Sequence, residues 1–307
     1  MINKNNNIVK NNEIKRLPLK SDYVFKRIFG YKGNEEITKN FISCIINENI
    51  QEIELDTNPI LEKDLIDDKI GILDIKAKLD NNINCDIEMQ LIDRKHIEKR
   101  ILYYWSKMYT KSIKAGQDYN KLQKAIVILI SDYNLENLKE IKKYITNWKI
   151  REEDNPKCIL TNMLTFYIIE LDKYKKYVKN NKNIKLNSWI EFIQNPNEVN
   201  GMSNKEIKKA KEVLEEISQD EREIYLAELR EKYIMDQKAI EDAGYDKGLK
   251  AGITQGIKQG MTQGIKYGIS QTQKDIVKKM LNKNFDKNTI HEITGLSVEE
   301  ITNIEKQ

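Results

Sequence analysis

Apolar and polar positions alternate with period two on both sides of Asp80-Asn81-Asn82. Before that tripeptide Leu73, Ile75, Ala77 and Leu79 point one way, and Asp74, Lys76 and Lys78 point the other. After it Ile83, Cys85, Ile87, Met89 and Leu91 are apolar, while Asn84, Asp86, Glu88 and Gln90 are polar. Alternation around turn-forming residues predicts a β-hairpin over residues 70–79 and 83–91. A three-residue loop pairs Leu79 with Ile83, because Asn tolerates the left-handed conformation such a loop needs. Counting back from there pairs Ala77 with Cys85, Ile75 with Ile87, and Asp74 with Glu88.

Elsewhere the period changes. Val24, Phe25, Ile28 and Phe29 give an apolar face to a short helix capped by Ser21 or Asp22 and broken by Gly30 and Gly33. Residues 35–49 predict a second amphipathic helix, and about 51–56 a short strand before the loop that holds Pro59. Residues 96–116 read as a helix with Gly116 as its C-cap. The run at 122–133 is apolar and β-branched, like a strand buried on both faces. Residues 135–149 are expected to be helical and 158–171 a strand. This order defines an α/β core with a mixed sheet flanked by helices.

Beyond residue 172 the pattern is polar and helical, over 172–179, 186–194 and 203–240, with Asn195-Pro196-Asn197 a break. From Gly244 to Gly268 glycine then recurs at every fourth position. Each glycine inside a helix costs about 0.8–1 kcal/mol relative to alanine, and a flexible linker needs no strict period. Small residues at this spacing let two helix backbones approach closely, as they do in membranes. Lys, Gln and Thr between the glycines exclude a bilayer here. Gly248, Gly252, Gly256, Gly260 and Gly264 therefore mark a candidate oligomerisation helix, with a semi-flexible tether as the alternative. The tail predicts short helices at 274–283, 286–293 and 297–305, the last opened by a Ser297/Glu300 capping box. That outline matches a helix-turn-helix, but the third helix is acidic, which suits a DNA groove poorly.

Composition adds limits. The 307 residues are 39% hydrophobic and 33% charged, with a net charge of +4. These values suit a protein with a modest core and permit, without requiring, nucleic acid. Residues 1–16 are polar and expected to be disordered. No apolar leader and no run long enough to span a bilayer occurs, so a cytoplasmic location and no membrane partner are expected. Cys44, Cys85 and Cys158 lie far apart, as free core thiols in a reducing compartment would.

The candidate chemistry sits on the hairpin. Directly opposed residues share a face, so the Asp74 and Glu88 Cβ atoms would lie roughly 4.5–5.5 Å apart, where like charges repel. A divalent cation between them would convert the repulsion to attraction, and Mg²⁺ is often held by one or two carboxylates. In enzymes built this way a main-chain carbonyl beside the second carboxylate, here that of Met89, completes the metal site. A third side chain, usually lysine, orients the attacking water; here it is Gln90. A solvated face, with Lys76 and Lys78 pairing Asp86 and Glu88, is the plainer alternative. Arg100, Tyr104 and Lys107 share one face of the following helix and are candidate phosphate contacts. His96 and His291 are isolated, no Ser/His/Asp or Cys/His set occurs, and no Walker-type loop suggests a nucleotide cofactor.

Larger blocks surround these residues: Asp22-Tyr-Val-Phe25-Lys26-Arg-Ile-Phe29-Gly30, Leu73-Asp74-Ile75-Lys76-Ala77 and Ile87-Glu88-Met89-Gln90. Arg100 with Tyr103 or Tyr104, Gly116-Gln-Asp-Tyr119, the strand Ala125–Ile130 and the glycine array follow. Together they resemble the Rpn family of recombination-promoting nucleases, also described as PD-(D/E)XK nuclease family transposases. The resemblance runs from Leu17 to the end. It implies a restriction-endonuclease-like core over 17–171, a helical extension over 172–243, the glycine helix over 244–270 and a helical tail over 271–307. It also implies Mg²⁺-dependent (or Mn²⁺-dependent) cleavage of double-stranded DNA in recombination or transposition. Asp74, Glu88 and Gln90 would be catalytic, Asp74, Glu88 and Met89 would hold the metal, and Asp22 and Lys26 would be auxiliary. Glutamine at position 90 is the form this family shows. A non-catalytic, oligomeric DNA-associated scaffold on the same fold is the competing expectation.

Overall fold

The computed structural model describes residues 16–56, 75–80, 82–93, 96–198 and 204–306. Of residues 1–16, expected to be disordered, only Arg16 is described, and it pairs with Glu215; the rest, the loop around Pro59 and the hairpin before Ile75 lie outside the described residues.

Among the described residues six strands form one mixed sheet: β1 (Ile53–Leu55), β2 (Ile75–Leu79), β3 (Ile83–Gln90), β4 (Lys124–Ser131), β5 (Ile145–Arg151) and β6 (Ile159–Glu170). Their order is β1-β2-β3-β4-β6-β5. The β1/β2, β2/β3 and β5/β6 pairs are antiparallel, and β4 runs parallel to both β3 and β6. The hairpin register is the expected one, pairing Leu79 with Ile83, Ala77 with Cys85 and Ile75 with Ile87. Asp80 takes the left-handed conformation in the turn, at φ 46°. Its carboxylate accepts from the Gln51 and Glu52 N–H groups at 2.9 Å, which fastens the turn to the approach of β1.

Among the described residues the helices are α1 (Asp22–Phe29), α2 (Glu35–Ile46), α3 (Ile97–Lys111), α4 (Leu171–Tyr177), α5 (Ile184–Gln194), α6 (Lys205–Ile217), α7 (Glu221–Asn282), α8 (Lys287–Thr294) and α9 (Val298–Glu305). Alternation divides the sheet residues between two cores. Ile75, Ala77, Leu79, Cys85, Ile87, Met89, Ile126, Ile128 and Ile130 join one cluster with residues of α1, α2, α5 and α6. Phe29, Phe41 and Trp189 stack within it, with ring centroids 4.9–5.5 Å apart. On the other face Val127, Leu129 and Ile168 pack with Ile97 and Ile101 of α3. Because both its faces are covered, β4 is a continuous apolar run.

Several expectations are corrected. Residues 135–149 are not a helix: a single 3₁₀ turn, Glu136–Leu138, precedes β5. Leu135, Leu138 and Ile141 have helical spacing, but Leu135 and Leu138 are buried in the second core and Ile145 instead pairs with Ile169. The predicted 203–240 helix is two helices broken near Asp220, whose carboxylate accepts from the Arg222 and Glu223 N–H groups and caps α7. Helix α3 stops at Lys111, so Gly116 is not its cap and instead turns the chain at φ 84°. Residues 274–283 are not a separate helix, because α7 runs unbroken through the glycine array to Asn282. Glycine lowers helix propensity but does not by itself end a helix; here each keeps a helical backbone.

The chain divides into two compact units, residues 1–234 and 235–307, with the boundary inside α7. In the second, Val277, Ile290, Ile301 and Ile304 form a small core of their own. The Ser297/Glu300 capping box is formed as expected. No helix among the described residues is long and apolar enough to cross a membrane.

Candidate active site

Strand β3 carries the candidate chemistry because its neighbours on both sides pull it into the sheet. Asn84, Asp86, Glu88 and Gln90 alternate onto the face that α3 covers, and Asp86, Glu88 and Gln90 are buried at 5%, 4% and 7% exposure. Three buried polar side chains in a row are costly unless they are compensated. Glu88 is compensated from α3. The Arg100 guanidinium reaches from the first turn of α3 to the Glu88 carboxylate at 2.7 Å. Lys76 of β2 lies directly opposite Asp86. Glu88 thus pairs with Arg100, where the plainer sequence reading had a hairpin lysine. Met89 points its side chain into the opposite core, which leaves its carbonyl in the strand beside Glu88. Asp74 lies outside the described residues, and so does its pairing with Glu88.

Helix α1 meets this region from the other side. A Cβ on Gly30 would come within 3.1 Å of Ile75 Cγ1 and 3.2 Å of Lys26 Cγ. Glycine therefore lets the end of α1 close onto the first described residue of β2, with the Lys26 stem beside it. Lys26 is buried at 7% exposure. Asp22 is engaged elsewhere: Arg230 of α7 grips its carboxylate with Nε at 3.0 Å and Nη2 at 2.7 Å. Glu223, two turns earlier on α7, accepts from the Tyr23 hydroxyl and from Arg27 Nε, both at 2.7 Å. Burial and the Glu223 carboxylate both push the Tyr23 hydroxyl pKa well up. Asp22, Tyr23 and Arg27 thus bind α1 to the start of α7, while Lys26 lies against β2. Sequence reasoning missed this clasp, although Arg230 beside the apolar Leu226 and Ala227 was a signal of a buried, paired cation.

Tyr104, Lys107 and Lys111 project from α3 over a cleft of about 700 Å³, together with Tyr103, Lys76, Lys78 and Asp86. Arg100 sits 5.5 Å from the Tyr104 ring and Lys107 Nζ 4.7 Å from that of Tyr103. The expected cluster on one helix face is therefore divided: Tyr104 and Lys107 line the cleft, while Arg100 turns to Glu88. Cys85 points from β3 into the opposite core with its thiol pKa raised by burial, as an inert core thiol. Cys158, expected in the core, is exposed. Among the described residues no group of three or more His, Cys, Asp and Glu side chains is placed to hold a metal. The donors that are described, a buried Glu88 carboxylate flanked by the Met89 carbonyl and the Gln90 amide, are hard oxygen ligands suited to Mg²⁺ or Mn²⁺.

A mixed sheet with an antiparallel hairpin and helices on both faces is the restriction-endonuclease-like α/β fold. A profile of the PD-(D/E)XK nuclease family transposases matches residues 19–244. The chain belongs to that family. No curated protein and no solved structure matches it.

Proposed function

We propose that this protein is a divalent-metal-dependent endonuclease that hydrolyses double-stranded DNA in recombination or transposition, within the cytoplasm. The observation that supports it best is the buried row Asp86–Glu88–Gln90 on β3, in a chain that belongs to a nuclease family. In this reading Asp74 and Glu88, with the Met89 carbonyl, hold Mg²⁺, and Mn²⁺ can replace it. When bound, the cation polarises the scissile phosphate and lowers the pKa of a water. Gln90 donates and accepts hydrogen bonds without charge, which suits it to orient that water or a phosphate oxygen. Arg100 fixes the Glu88 rotamer and balances its charge. Lys26 supplies a second cation beside β2. Tyr104 and Lys107 contact the DNA backbone, which positions the duplex without reading sequence.

The protein is also proposed to act as a homo-oligomer through the glycine array. Directly after each glycine stands a large apolar residue: Tyr245, Leu249, Ile253, Ile257, Met261, Ile265 and Ile269, each about half exposed or more. A glycine row beside an apolar row supplies both close approach and area to bury.

The test is nicking of supercoiled plasmid by purified protein with Mg²⁺ or with chelator, beside Asp74→Ala and Glu88→Ala. Mg²⁺-dependent nicking that both variants lose supports the reading. Nicking that ignores chelator, or survives either substitution at the wild-type rate, rejects it.

A further inference from the structure

We infer that the cleft between the hairpin and α3 is a binding site for an unpaired stretch of DNA strand beside the cut, so that the preferred substrate is gapped or locally melted duplex. The inference rests on the nuclease reading and adds its substrate class. The cleft volume of about 700 Å³ is on the scale of one or two nucleotides rather than of a duplex.

The lining matches what an unpaired strand offers. Tyr103 stands at the rim, 51% exposed, with Lys107 Nζ 4.7 Å from its ring centroid. A base can stack on such a ring whatever its sequence, and the ammonium is placed for the adjoining phosphate. Lys76, Lys78 and Lys111 add cations around the same cleft, opposite the carboxylates of Glu54, Asp56 and Asp86, so phosphate would sit on the lysine side. Asn84 and Gln123 also line it, and the Asn84 amide donates to the Gln123 carbonyl oxygen at 3.1 Å. That bond uses one donor and one acceptor. The cleft wall retains an Asn84 carbonyl and a Gln123 amino group, the mixed pair that a base's Watson–Crick edge can meet. A paired base has that edge occupied by its complement.

The location ties the cleft to the chemistry. Asn84 and Glu88 lie on one face of β3, four residues and therefore about 13 Å apart. A strand seated by Tyr103 and Asn84 then lies against the end of β3 where Asp86 also lines the cleft, one alternation short of Glu88.

Fluorescence anisotropy in chelator, where no cleavage occurs, tests this with three labelled DNAs of one sequence: single strand, gapped duplex and full duplex. The gapped duplex should bind roughly tenfold tighter than the full duplex, the scale of one base stack. Tyr103→Ala should abolish that ratio and Tyr103→Phe should keep it. The half-exposed ring makes either change harmless to folding, which circular dichroism checks. Equal binding of gapped and full duplex overturns the inference, as does a ratio that survives Tyr103→Ala. Tighter binding of the corresponding RNA strand also overturns the assignment to DNA. Plasmid nicking is scored separately: nicking without a gap preference rejects this site alone, and a gap preference without nicking rejects the nuclease reading.

Discussion

At the residue scale the site is held by pairing. Glu88 is nearly inaccessible, and its neighbour Arg100 reaches it at 2.7 Å. Arg100→Ala should therefore cost more than a surface ion pair. Removing one partner of a buried pair typically costs about 3–5 kcal/mol, and the partial exposure of Arg100 lowers the expectation to about 2 kcal/mol. Denaturant unfolding measures this, and Arg100→Ala with Glu88→Gln should recover much of the loss. If Arg100→Ala leaves the unfolding midpoint in place, the pair does not hold the site. Gln90→Ala should slow nicking by about 10²–10³ if its amide acts only in the transition state. Gln90→Lys should keep part of the rate, because an ammonium can also face a developing negative charge. The alternation that put Glu88 and Gln90 on one face was plain in the sequence. That Arg100 would turn inward was not, because a lone arginine in the first turn of an amphipathic helix looks the same whether it faces water or a carboxylate.

At the element scale the α1–α7 clasp makes a helix far along the chain part of the core. Arg230 is 5% exposed at its side chain and Asp22 13%. Arg230→Ala should lower stability by up to about 3 kcal/mol, the low end for a buried pair. Thermal unfolding reads the effect, and a truncation before Glu223 should fail to fold as the full core does. A second joint lies before β5, where the Tyr144 hydroxyl donates to Asn187 Oδ1 at 2.6 Å and accepts from the Asn181 amide at 2.5 Å. Burial raises the Tyr144 pKa from 10.0 to about 12. Below pH 10 both folded and unfolded chains keep the proton, and the full contribution is present. Between pH 10 and 12 the unfolded chain ionises first, so stability falls as pH rises through that window. Urea unfolding at stepped alkaline pH should show the fall, shared with Tyr167, whose burial also raises its pKa to about 12, and with Tyr23 and Tyr174, whose pKa values burial also raises. Tyr144→Phe should make it shallower; an unchanged slope would remove Tyr144 from the account. The strands β1, β2, β3, β4 and β6 were legible because alternation or a β-branched run marked each. Strand β5 was not: Ile145-Thr-Asn-Trp has no clear period, and only pairing with β6 decides its state.

At the scale of the whole molecule the glycine array sets the remaining question, and its period makes the answer testable. Four residues advance a helix by 400°, so both the glycine row and the apolar row rotate about 40° per repeat. Two straight helices would meet over only two or three repeats, whereas right-handed coiling would let the rows follow each other further. The expected wild type has a solution mass that is a multiple of the 36.1 kDa chain. Ile257→Lys with Met261→Lys should reduce it to one chain, since these residues are 59% and 63% exposed and their burial is what the contact gains. Gly256→Leu with Gly260→Leu should do the same by holding the backbones apart. Those leucines also raise helix propensity by nearly 1 kcal/mol each, so a lost oligomer could not be blamed on a melted helix. Moving the paired substitution along the array distinguishes the geometries. If the helices cross once, changes at Gly244 and Gly248 leave the mass unaltered while central ones reduce it. If they coil, every pair weakens association by a similar amount. Light scattering across the series reads both outcomes, and a monomeric wild type at all concentrations would end the oligomer proposal while leaving the nuclease site untouched.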